Sequence, residues 1–138
     1  MSKIEGSCLC GQIHYQSSAE PAVMALCHCT HCQKQSGSAF SALVAVPAGT
    51  LEINRAQLKF YDDKGDSGQP VRRGFCPNCG SAVISEVAVT PDLEWIKAGT
   101  LNDTSWYSPT VSIWCDSAQK WTPMPEGMVK VPGSPPRG

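Results

Sequence analysis

The chain has 138 residues, 41% of them apolar and 17% charged, and a net charge of −1. That length suits one domain with one core, and the apolar share excludes an intrinsically disordered chain. A charge so near zero lacks the basic excess that displaces counterions from a phosphate backbone, so nucleic acid is not an expected partner.

No run of about 18 apolar residues occurs, so a membrane is not an expected partner either. Met1 to Gly6 carries no apolar segment of signal-peptide length, and a cytoplasmic location is the expectation. With 12 glycines and 11 prolines, the composition favours strands and turns over long helices.

In chain order, Ile13 and Tyr15 alternate with polar neighbours, as a half-buried strand does. Ala22 to Leu26 is a short apolar run. Thr30 to Gln35 suits one or two helical turns ended by Gly37. Phe40 to Val46 predicts a buried strand that stops at Pro47. Shorter strands are expected at Leu51 to Ile53 and Leu58 to Tyr61, with a polar loop from Asp62 to Gln69. Val71 to Phe75, Ala82 to Val89, Leu93 to Ala98 and Val111 to Cys115 complete the strand set. From about residue 122 prolines dominate, and this tail is expected to wrap the surface or end in disorder. The prediction is one domain over 1–138: mainly β, small antiparallel sheets of eight to ten short strands, with short helical turns only.

The eight cysteines are the strongest signal. Without an export signal they suit metal ligands better than a disulfide framework. They fall into a C-x-C (Cys8, Cys10), a C-x-C-x-x-C (Cys27, Cys29, Cys32) and a C-x-x-C (Cys76, Cys79), with Cys115 apart. Two pairs supply the four sulfurs of a closed zinc tetrahedron, and the remaining three leave a coordination position free. Closed sites are typically structural and open ones catalytic. Counting therefore assigns Cys8, Cys10, Cys76 and Cys79 to a structural zinc and Cys27, Cys29 and Cys32 to a reactive one, two ions per chain.

Other assignments compete. Cys76 and Cys79 alone could be a redox dithiol, although no βαβ pattern surrounds them. Both clusters could be structural, with His28, His31 or Cys115 as a fourth ligand. The two histidines adjoin ligands and reach the same ion awkwardly, and Cys115 suits a buried, inert thiol.

Three segments together resemble one family. They are Gly6-Ser7-Cys8-Leu9-Cys10-Gly11, Cys27-His28-Cys29-Thr30-His31-Cys32-Gln33-Lys34-Gln35-Ser36-Gly37, and Arg73-Gly74-Phe75-Cys76-Pro77-Asn78-Cys79-Gly80-Ser81. The chain is similar here to the glutathione-dependent formaldehyde-activating enzymes, whose domain also occurs in centromere protein V. Weaker echoes follow at Gly99 to Asp103 and Ile113 to Trp121, while Cys115 and the proline tail match no motif of that family. The resemblance implies a β-tent-like fold around zinc and the same division of ligands. It also implies a carbon–sulfur lyase that joins glutathione, as co-substrate, to formaldehyde.

An open three-sulfur zinc can hold an incoming thiol and lower its pKa, or polarise a carbonyl. Three thiolates weaken its Lewis acidity, so thiol exchange is the more natural use. His28 is the candidate proton shuttle. Lys34 and Arg73 are candidate contacts for substrate carboxylates. Trp95, Trp106, Trp114 and Trp121 are expected in the core or the pocket wall. A small thiol or carbonyl compound is the expected partner. Two further classes stand beside this one: a zinc hydrolase or lyase acting on another small electrophile such as an imine, and a non-catalytic zinc module for protein interaction.

Overall fold

The computed structural model describes residues 4–65 and 68–133. Eleven strands and one α-helix are present among them. In chain order the strands are β1 (Ile4–Ser7), β2 (His14–Ser17), β3 (Val23–Cys27), β4 (Ser41–Pro47), β5 (Leu51–Ile53), β6 (Lys59–Lys64), β7 (Pro70–Phe75), β8 (Ala82–Val87), β9 (Leu93–Lys97), β10 (Val111–Ile113) and β11 (Val129–Lys130). The helix α1 (Thr30–Ser36) lies between β3 and β4. None of the described helices is long and apolar enough to cross a membrane.

The strands form two sheets. A small antiparallel sheet has the order β1-β2-β5, and a large one has the order β11-β10-β3-β4-β9-β8-β7-β6. The large sheet is antiparallel from β3 to β6, whereas β10 runs parallel to both β3 and β11.

Strand β4 shows why the architecture has two cores. Leu43, Val44, Ala45 and Val46 are all buried, so both faces of this central strand are covered. Side chains alternate between faces. Val44 and Val46 join Ile84, Ile96, Ile4, Tyr15 and Leu51 beneath the small sheet. Leu43 and Ala45 join Trp95, Ala25 and Ile113 on the opposite face. Each core carries one cysteine cluster: Cys8 and Cys76 belong to the first, Cys27 and Cys32 to the second.

Several elements depart from the sequence expectations. The expected polar loop from Asp62 begins as strand, because β6 and β7 pair as far as Lys64↔Pro70. Cross-strand charge holds it: Arg72 pairs with Asp62 and Glu86, and Arg73 with Asp63. Two strands carry no strong sequence signal. β1 is four residues with a glycine inside, and β11 is two residues within the proline-rich tail. That tail does wrap the surface: Val129, Val131 and Gly133 bond to the backbone of Thr110, Ser112, Trp114 and Cys115. Its last residues lie outside the described ones. The strand expected through Cys115 stops at Ile113, since Trp114 adopts a left-handed φ of 58° and Cys115–Ser117 form a 3-10 turn. Cys115 is therefore half-buried, with its thiol donated to Ser112 O at 3.3 Å. Trp121 is 71% exposed and contributes to neither core, in contrast to Trp95 and Trp106.

Candidate functional site

Two tight knuckles build the first cysteine cluster. The Ile13 amide donates to Cys8 Sγ at 3.2 Å, and the Cys8 amide donates to Ile13 O. In the second knuckle Gly80, at φ 80°, closes the turn by donating its amide to Cys76 O at 2.8 Å. Ser81 joins the two: its hydroxyl accepts the Leu9 amide at 3.1 Å and lies 3.3 Å from Cys79 Sγ. Hydrogen bonds from the Ser81 hydroxyl and amide pull the Cys79 thiol down to about 5.

The sulfurs of Cys8, Cys10, Cys76 and Cys79 all lie within 4.8 Å of one another. Cys8 Sγ is 3.6 Å from Cys10 Sγ, which is 3.8 Å from Cys76 Sγ. A zinc ion with Zn–S bonds of ~2.3 Å needs sulfurs about 3.8 Å apart on the tetrahedron edge, so this donor set fits the metal. All eight cysteines are free thiols.

The second cluster is Cys27, Cys29 and Cys32, whose sulfurs also lie within 4.8 Å of one another. Cys27 ends β3. Cys29 caps α1 by accepting the Cys32 amide at 3.2 Å, which places Cys32 one turn into the helix. Gly37, left-handed at φ 66°, ends that helix as the sequence predicts. No fourth His, Cys, Asp or Glu joins this cluster among the described residues.

A cavity of about 460 Å³ opens on these three cysteines. Its lining follows from strand alternation, for Ile113, Cys27, Leu43, Trp95, Lys97, Ser85, Val87, Val71 and Arg73 are successive odd-numbered residues of β10, β3, β4, β9, β8 and β7. One face of six strands thus converges on one space. The registers Ile113↔Cys27, Leu43↔Lys97, Ser85↔Trp95 and Arg73↔Ser85 align these residues side by side.

Two buried cations stand in that lining. Arg73, 5% exposed, donates Nη1 to Cys32 Sγ at 3.9 Å and Nε to Asp63 Oδ2 at 2.9 Å. The same Asp63 oxygen meets His31 Nδ1 at 2.7 Å. Lys97, 6% exposed, donates Nζ to Ser41 Oγ at 2.8 Å. Burial lowers the Lys97 pKa, opposed by the thiolate of Cys32. Hydrogen bonds from Cys27 and Cys29, and then the charges of Lys97 and Arg73, hold Cys32 far below the ordinary thiol range. The bonds that Cys27 makes to Cys29 and Cys32 push its own thiol up.

The structure sorts the sequence candidates. It brings Arg73, Trp95 and Trp114 into the cavity lining with the three cysteines. His28 lies outside that lining. It is fully buried, with Nε2 3.4 Å from Ser112 Oγ and its ring against Phe40 at 5.5 Å, and burial lowers its pKa. Lys34 is exposed on the last turn of α1, also outside the lining, while Lys64 and Lys97 are the lysines that reach the cavity. Sequence reasoning missed Lys97, Asp63 and the placement of His31. The available signal was Lys97 in phase with Leu93 and Trp95, on the apolar side of a strand whose other phase carries Glu94.

Residues 3–117 match the sequence pattern of the family described as glutathione-dependent formaldehyde-activating enzyme. The chain belongs to that family. The matched span contains both cysteine clusters, Arg73 and Lys97, and ends within the 3-10 turn that follows β10. The proline-rich tail that straps β10 lies outside the family match. A crystal structure of a Rhodobacter sphaeroides protein is similar in fold, with a TM-score of 0.57 at 18% identity, over 71% of this chain and 87% of that one.

Proposed function

We propose that this family member binds a thiol at the Cys27–Cys29–Cys32 cluster and joins it to a small aldehyde. Its first and third cysteine segments would hold a second zinc that serves the fold. The supporting observation is the unequal donor count: four sulfurs in one cluster, three in the other, and the cavity on the side of the three.

Cys27, Cys29 and Cys32 would hold the reactive zinc. Zinc bound there supplies acidity to a thiol donor, keeping it as a thiolate near neutral pH. The protein's own groups do the rest. Arg73 and Lys97 offset the negative charge that three cysteine thiolates and a substrate sulfur bring together. Lys97 can also donate to an oxygen on which charge develops. One carboxylate oxygen of Asp63 holds both Arg73 and His31, and His31 would use its free ring nitrogen to exchange a proton with substrate. The apolar wall excludes water from this charge cluster.

The bond changes balance without a redox partner. The thiol sulfur's electron pair forms the C–S bond to the carbonyl carbon, and the C=O π pair moves onto oxygen. The proton lost from sulfur ends on that oxygen. The product is the hydroxyalkyl thioether, and the reverse step is the carbon–sulfur lyase reaction. Glutathione with formaldehyde is the pair that the family's description suggests.

Cobalt substitution tests the thiol step. Adding glutathione to the cobalt-loaded protein should shift the ligand-field bands of one of its two sites. In Cys29→Ala that response should vanish while the bands of the four-cysteine site persist. Bands unchanged by both glutathione and a small alkyl thiol in the native protein would contradict the proposal.

A further inference from the structure

The cavity is much larger than a one-carbon aldehyde needs. The buried cations Arg73 and Lys97 line it with the three cysteines and Ser85, and Thr30, His31, Lys64, Gln69, Thr90 and Ser117 complete its polar lining. The remaining wall is built largely from apolar side chains, among them Leu43, Val71, Val87, Trp95, Ile113 and Trp114. Trp95 is held in place because its indole N–H donates to Thr90 Oγ1 at 3.0 Å. That bond uses the ring's only polar atom, so the rest of the indole offers an apolar surface. Trp114 enters the same space through its left-handed backbone, the only positive φ outside glycine among the described residues.

Glutathione is a polar peptide with two carboxylates, and beyond Arg73 and Lys97 the lining offers them one further cation, the exposed Lys64. Arg73 is already engaged with Asp63 and Cys32, and Lys97 with Ser41. A cavity with a charged floor and apolar walls selects a ligand with one polar head and a hydrocarbon body. We infer that the substrate of this site is a thiol–aldehyde pair in which one partner carries an apolar substituent of several carbons, seated between Trp95 and Val71. The inference rests on the thiol-binding role proposed above and deepens it by assigning the wall to the substituent.

The test is a ligand series on the zinc-loaded protein, which requires no substitution that could unfold it. Straight-chain thiols from ethanethiol to hexanethiol, the matching alcohols, and glutathione are titrated while tryptophan emission is followed. Saturable binding at one site per chain is expected, tightening about fourfold for each added methylene. The alcohols should show the same slope from a weaker starting point. Glutathione binding as tightly as hexanethiol, or affinity that ignores chain length, would overturn the inference and leave the thiol role intact. Thiols and alcohols of equal length binding equally, with the slope preserved, would uphold the apolar subsite and contradict the thiol role. Binding that never saturates would overturn the inference, because adsorption to apolar surface would then explain the slope.

Discussion

At the scale of single residues, the site places two buried cations against three sulfurs. Burial of an ammonium is costly unless a partner of opposite charge compensates it. Lys97 has Ser41 as its hydrogen-bond partner and Cys32 as its compensating charge. Its role is therefore expected in binding rather than in folding. Lys97→Met should keep the denaturation midpoint close to the native value, since the stem's packing is retained. The same change should weaken glutathione or alkyl thiol binding about tenfold, a charge-assisted contact being worth about 1.5 kcal/mol or more. Tryptophan emission during thiol titration reads the affinity, and urea unfolding reads the midpoint. Unchanged thiol affinity would remove Lys97 from the site. His28 carries the opposite lesson: its position between two ligands suggests chemistry, yet its ring is buried against Phe40.

At the scale of elements, the small sheet depends on one close approach. Gly6 in β1 bridges to Leu101 and pairs with Tyr15. A Cβ added there would collide with the Thr100 carbonyl, which is backbone, and with the Tyr15 phenol, which is bonded to the Thr100 hydroxyl. Gly6→Ala is expected to destabilise the fold by about 2 kcal/mol or more, measured by urea unfolding. A loss below about 0.5 kcal/mol, ordinary for a surface change, would show that β1 does not pack as described. In the sequence this glycine is marked only by its place at the head of the Gly6 to Gly11 segment that carries the family resemblance.

Other elements divide along the same line. The cysteine knuckles, α1 with its Gly37 stop and the strand at β4 were legible because capping, turn chemistry and apolar runs are local. The β6 extension, the parallel pairing of β10 and the two-residue β11 were not, because cross-strand ion pairs and tail contacts decide them. The two groups into which counting divides the cysteines are the two that the fold brings together. The companions Asp63 and Lys97 stayed hidden because only the register of β6, β7 and β9 carries them to Cys32.

At the scale of the whole molecule, the two clusters sit in the two cores on opposite faces of one sheet. The four-cysteine cluster links β1's end to the turn between β7 and β8. Metal held there would tie together segments distant in sequence, and its binding energy would add to folding energy. The three-cysteine cluster closes only a short segment from β3 into α1. Metal held there is expected to leave with little effect on the rest of the chain.

Zinc release to a chelator, followed together with unfolding in Cys29→Ala and Cys76→Ala, tests this inequality most directly. The account predicts two zinc ions per native chain leaving in two phases. Cys29→Ala should lack the fast phase and still unfold cooperatively, while Cys76→Ala should not fold stably. A single phase in the native protein, or the same behaviour in both variants, would contradict it.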